Sequence, residues 1–207
     1  SFQTPCDSQA FSLSRAIAYA KEQGIFVSVA AGNVVQTNGI AYPACSSSAV
    51  SVGGIRKDDQ TILYSRGELL DILAPAYNIV STNYGGGHIA KSGTSMATPQ
   101  VAGAAALLNQ YYSAYYGTQH HPDLIKDALL SFGQLKYDSQ SDLTFPRLDV
   151  FSAYTNYSQN KGIISTLQGA TPFYTTDQNP KQINLTAGQS QVVQWEVNAT
   201  GDYATYE

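Results

Sequence analysis

Ser95 stands inside Gly93-Thr94-Ser95-Met96-Ala97-Thr98-Pro99, ahead of a run that carries no charge as far as Leu108. A serine hydroxyl does chemistry when it attacks a carbonyl. A helix start suits that role, because the free N–H groups of a first turn and the positive end of the helix dipole favour developing negative charge. The stretch MATPQVAGAAALL (96–108) is rich in Ala and Leu, so it predicts a helix buried on nearly all sides, with Ser95 as its N-cap. Pro99 falls near that start, where its missing N–H costs little. Taken alone, a serine before an apolar helix is an ordinary cap.

A second polar residue closes another apolar run. Gly24-Ile25-Phe26-Val27-Ser28-Val29-Ala30-Ala31-Gly32-Asn33 is charge-free, rich in branched and aromatic residues, and stops at Gly-Asn. It predicts a buried parallel strand. Ahead of it, Leu13, Ala16, Ile17 and Ala20 form a helical stripe over 12–23, with Gly24 as the C-terminal glycine. A helix followed by a strand implies an α/β unit, and ligands gather at the carboxyl ends of such strands, where Asn33 projects its amide. By itself Gly-Asn is also an ordinary turn dipeptide.

Together the two motifs, about sixty residues apart, resemble those of the subtilisin-like serine proteases, the subtilases. That family carries G-T-S-M-A-x-P followed by a helix of small residues, and A-A-G-N at a strand end. The resemblance implies a three-layer α/β fold around a central parallel sheet, present here in part. It implies that Ser95 is the nucleophile and that the Asn33 amide and the Ser95 backbone N–H form an oxyanion hole. Ala30, Ala31, Gly32, Ala41 and Thr94 are the corresponding substrate-binding positions, and an alanine where many relatives carry glycine makes that pocket shallower. Ala41-Tyr42-Pro43-Ala44, Ala49 to Gly54 and Leu70 to Pro75 resemble further family segments, with Ala76 in place of a glycine. Tyr42-Pro43 corresponds to a cis bond in relatives. Cys6 and Cys45 resemble a disulfide-linked subset, which implies an extracellular disulfide. No cofactor is implied for catalysis. Structural calcium is common among relatives, but no metal-binding residue is assigned here.

A serine needs a base, itself oriented by an acid. Of the three histidines, His88 lies in a Gly-rich turn, and His120 and His121 precede Pro122. None sits in the family's H-G-T-H-V-A-G context, so all three read as turn or surface histidines. The family's aspartate motif is also missing, and Asp7 falls beyond its place. In subtilisins the acid and base precede the serine. Residues 1–157 are therefore expected to be the C-terminal part of a catalytic domain, partnered by a preceding segment that bears the triad Asp and His. Residues 158–207, rich in Gln, Thr and Asn, are expected to be a linker and the beginning of a β-sandwich-like accessory domain, with a strand at 191–197.

Only 13% of the 207 residues are charged, the net charge is −4, and Tyr is abundant at 15. No basic cluster points to nucleic acid. No apolar run reaches the roughly 18–20 residues that span a bilayer. Two readings from different classes remain open at this point. One is a secreted serine endopeptidase acting on polypeptides; the other is a catalytically inactive subtilase-like protein or binding module.

Overall fold

Six strands build the main sheet: β1 (Ser28–Ala30), β2 (Val50–Ile55), β4 (Ile72–Pro75), β8 (Leu143–Arg147) and β7 (Gln134–Asp138) lie side by side in that order, and β3 (Ile62–Leu63) pairs with β2. The computed structural model describes residues 1–8, 12–116, 120–159, 168, 173–176 and 196–199. The chain divides into two units, Ser1–Tyr157 and Ser158–Glu207.

In the first unit, helix α1 (Ser12–Glu22) ends as its glycine dictates. Gly24 takes φ +79°. Its N–H then bonds Lys21 O at 2.9 Å, and Ile25 N–H reaches back to Ala20 O at 3.0 Å, which satisfies two carbonyls of the last turn. Strand β1 is shorter than the apolar run suggests. It covers Ser28–Ala30 and is half-buried, with one strand neighbour among the described residues, β2 (Val50–Ile55). β2 is buried along its whole length, parallel to β1 on one side and to β4 (Ile72–Pro75) on the other. Its charge-free sequence reflects that double coverage. The short β3 (Ile62–Leu63) pairs antiparallel with the end of β2.

Beyond β4, the antiparallel hairpin β5 (Ile79–Thr82) and β6 (His88–Lys91) stands exposed and leads directly into α2 (Thr94–Tyr116). Helix α3 (Pro122–Ser131) follows and packs on α2. Strand β7 (Gln134–Asp138) then turns antiparallel into β8 (Leu143–Arg147), which lies parallel to β4. Helix α4 (Val150–Gln159) starts where the Asp149 carboxylate accepts the Ser152 N–H at 3.0 Å, a side-chain cap.

Helix α2 lies across β1, β2 and β4. Ala97, Val101, Ala104, Ala105 and Leu108 form its buried face, packed with Val52, Ile72, Ala74 and Ala76 of the sheet side, and Tyr112 is buried further along the helix. Alanines on both surfaces let helix and sheet approach closely, while Val101 and Leu108 fill the gaps and contribute roughly 1.5–3 kcal/mol each by burial. The opposite side of the helix differs from expectation: Ala102, Gly103 and Ala106 face outward and Leu107 is 57% exposed. A lack of charge does not require burial on all sides, because alanine and glycine hide little area whichever way they point. On the other face of the sheet a second core gathers Cys6, Ile40, Cys45, Ile55, Leu73 and Phe145.

In the second unit, β9 (Phe173–Thr175) pairs antiparallel with β10 (Val197–Ala199), and the Thr175 hydroxyl donates to Glu196 O at 2.6 Å. Of the strand expected at 191–197, residues 191–195 lie outside the described residues, and Val197 opens β10.

Candidate active site

Asn33 lies just past the carboxyl end of β1, and the α2 start comes to meet it. Its Oδ1 accepts both the Thr94 N–H at 2.8 Å and the Thr94 hydroxyl at 3.0 Å. The Thr94 hydroxyl in turn accepts the Gly32 N–H at 3.3 Å. Two donors occupy both lone pairs of the carboxamide oxygen, which fixes which end of the amide is which. The Nδ2 group, with no partner among the described residues, is left as an available donor.

This arrangement changes the expected cap. The helix begins at Thr94, so Ser95 sits within the first turn rather than at the N-cap, and Pro99 lies inside the helix. The reason is tertiary. Asn33, far back in sequence, supplies the acceptor for the first N–H that a local cap residue would otherwise supply. Gly93 makes the close approach possible: its φ is +145°, and a Cβ there would sit 3.2 Å from Asn33 Oδ1 and 3.3 Å from Nδ2. Its N–H is held by Ala76 O at 2.8 Å, on the chain leaving β4. Ser95 is exposed, and no side chain among the described residues bonds its hydroxyl.

The sequence-derived pocket positions converge here. Ala41 N–H donates to Ala31 O at 2.8 Å, and a Cβ on Gly32 would meet the Ala41 Cβ at 3.0 Å. Ala30, Gly32 and Ala41 are half-buried, whereas Ala31 and Thr94 are completely buried. Cys6 and Cys45 are joined in a disulfide, with Cα atoms 5.4 Å apart. Beside it, Asp7 accepts the Ser46 hydroxyl at 3.1 Å and the Ser47 N–H at 3.0 Å, so it serves the loop that follows Ala41. Tyr42–Pro43 is cis.

The histidines stay apart from Ser95. His88 pairs with Thr82 at the turn end of its hairpin, about 10 Å of strand from Lys91. His120 packs on Tyr112, and roughly 25 Å of helix separates Tyr112 from Ser95. Burial pushes His120 down to about 4, so it is neutral at ordinary pH. His121 caps α3, its Nδ1 accepting the Asp123 N–H at 3.3 Å. Among the described residues no group of three or more His, Cys, Asp or Glu is placed to hold a metal ion. Nor is any described helix long and apolar enough to cross a membrane.

The subtilase family profile matches residues 3–170, which takes in the Asn33 and Ser95 motifs together. The chain belongs to the subtilase family. This subtilase is 49% identical over 102 residues to Subtilisin-like protease 1 of Trichophyton rubrum, covering 49% of this chain and 20% of that protein. The Arthroderma gypseum protein of the same name is 48% identical over 97 residues, covering 46% and 20%. The chain thus spans about a fifth of the length of these relatives. Among solved structures it is similar to the prenylagaramide maturation protease PagA, with a TM-score of 0.64 and 29% identity over 73% of this chain and 57% of that one. The patellamide maturation protease PatA gives 0.62 and 28% over 71% and 56%. These likenesses agree with the subtilisin-like α/β fold.

Sequence reasoning named one of the contributors to this arrangement and missed another. Thr94 was expected along the pocket, yet its observed contacts are those of an anchor for Asn33. Ser65 was not singled out at all, although its hydroxyl lies 3.1 Å from where a Gly32 Cβ would be. A polar residue placed by a loop between β3 and β4 leaves no periodic signal.

Proposed function

We propose that this subtilase is a serine endopeptidase in which Ser95 Oγ attacks the carbonyl of a peptide bond. The proton of the hydroxyl passes to a histidine that an aspartate orients, both carried by a segment preceding these 207 residues. The oxyanion is accepted by the Ser95 N–H and by Asn33 Nδ2. Collapse of the tetrahedral species expels the amine, protonated by the same histidine, and leaves an acyl ester on Ser95 that water then hydrolyses. Every group in this scheme belongs to the protein, and no cofactor takes part.

The observation that carries the reading is the saturation of Asn33 Oδ1 by Thr94, which leaves Nδ2 as a preset donor beside a helix N-terminus. A donor held in place before the reaction needs no reorganisation when charge develops, and such stabilisation is commonly the largest catalytic term. Ala30, Gly32 and Ala41 form the wall against which the substrate residue before the scissile bond packs, and Ala31, completely buried, backs that wall from behind. The Cys6–Cys45 disulfide supports an oxidising, extracellular location, where such bonds persist.

A fluorophosphonate probe tests the proposal. In the protein carrying its preceding segment, Ser95 is expected to be labelled, and Ser95→Ala to abolish the label. The 207-residue chain alone should stay unlabelled, because its hydroxyl has no base to activate it. A folded full-length sample that takes no label at Ser95 would favour the non-catalytic, binding-module reading instead.

A further inference from the structure

The segment leaving Asn33 is tied down by one dipeptide. Ser65 N–H donates to Gly32 O at 3.3 Å, and its hydroxyl donates to Val34 O at 2.8 Å. Arg66 N–H donates to Gln36 O at 3.0 Å, and Arg66 O accepts the Gly39 N–H at 2.8 Å. The backbone around Asn33 is thus held from both sides by Ser65 and Arg66. What holds Ser65 and Arg66 is a buried charge.

Arg66 is 1% exposed and Asp138, at the end of β7, is 7% exposed. Arg66 Nε donates to Asp138 Oδ2, Nη2 donates to Gln140 Oε1, and Nη1 donates to Tyr64 O at 2.8 Å. Ser141 Oγ adds a bond to Asp138 Oδ2 at 2.6 Å. Burial raises the Asp138 carboxyl, but the bonds from Arg66 and Ser141 outweigh it and hold it below its ordinary range, so it stays charged. A buried ion pair of this kind adds little net stability over an apolar pair of the same volume. Its effect is geometric: a planar guanidinium with several occupied donors has one orientation. Through that orientation the β7–β8 turn fixes the register of a loop some seventy residues earlier in the chain.

We infer that Arg66 and Asp138 are positioning residues, which hold the Gly32–Gly39 segment so that the Asn33 amide stays at the distance the oxyanion requires. This inference rests on the endopeptidase reading above, and it assigns to the β7–β8 turn a part in catalysis without contact with substrate.

Two variants and two readouts test it. Asp138→Asn leaves Arg66 buried without its counter-charge. Gln140→Ala removes a single acceptor from an exposed side chain and preserves the fold. In the full-length protein, kcat on a peptide substrate is expected to fall about tenfold for Asp138→Asn, within the roughly 10²-fold that a 1 Å misplacement can cost. For Gln140→Ala the expected fall is about two- to threefold, and KM is nearly unchanged in both variants. Amide hydrogen exchange at Arg66 and Gly39 should accelerate selectively, while amides of α3 keep their protection. Unchanged kcat in folded Gln140→Ala and unchanged exchange at Gly39 would overturn the inference. Wild-type protein without peptidase activity would sink the endopeptidase reading alone, since the exchange measurement still decides whether Arg66 and Asp138 set this segment.

Discussion

Thr94→Val removes one hydroxyl from a side chain that is completely buried and leaves its shape almost unchanged. The hydroxyl makes two bonds, to Asn33 Oδ1 at 3.0 Å and from Gly32 N–H at 3.3 Å. Losing the first costs about 0.5–1.5 kcal/mol, and stranding the Gly32 N–H costs about 1–3 kcal/mol, for a total of about 1.5–4.5 kcal/mol of stability. Thr94→Ser deletes only a methyl, worth about 1 kcal/mol, and keeps both bonds. For catalysis the two variants separate further. Valine leaves Asn33 Oδ1 with the Thr94 N–H alone, so the amide can rotate and Nδ2 loses its fixed aim. The turnover of Thr94→Val should fall toward, without reaching, the roughly 10²–10³-fold loss known for removing this donor from subtilisin itself. Asn33→Ala sets that lower bound in the same assay. Urea unfolding gives the stability term, and kcat on a peptide substrate gives the catalytic one. Equal kcat for the valine and serine variants, both folded, would show that the Thr94 hydroxyl does not hold Asn33 and would refute the reasoning.

Two other outcomes follow from the same contacts. The Cys6–Cys45 bridge spans 39 residues of sequence, for which loop-closure entropy gives about 4 kcal/mol; the Cys6→Ser, Cys45→Ser double variant should lose most of it in urea unfolding, and a loss below about 1 kcal/mol would contradict this. His120 has its folded value pushed by burial to about 4, below its ordinary 6.5. The unfolded chain therefore takes up this proton first, so the contribution to stability is intact above pH 6.5 and is lost as pH falls from there toward 4. His120→Phe should flatten that limb of the stability profile measured by thermal unfolding, and an unchanged limb would argue against a buried neutral imidazole.

Much of the scaffold was legible because it depends on local rules. Gly24 announced the end of α1, and the charge-free run ahead of Asn33 announced the strand β1. The extent of α2 was not legible. Its start moved to Thr94 because Asn33 caps it from a distance, and its outward alanines carry no signal that distinguishes burial from exposure. Of the β5–β6 hairpin only the Gly-rich turn at His88 was read, and the β7–β8 hairpin was missed, since short strands with polar faces lack a strong period.

The sequence by itself determined the chemical inventory: a serine at a helix start, an asparagine at a strand end, and no histidine in a motif that would activate the serine. Those are properties of residue type and spacing. Only the tertiary structure decided how the inventory is oriented. Thr94 takes both lone pairs of Asn33 Oδ1, Gly93 admits the amide by having no Cβ, and Arg66 with Asp138 braces the loop from the far end of the sheet. The physical reason is that a hydrogen bond or an ion pair depends on distance and angle to within tenths of an ångström, and residues sixty or seventy positions apart acquire those only when the sheet is assembled.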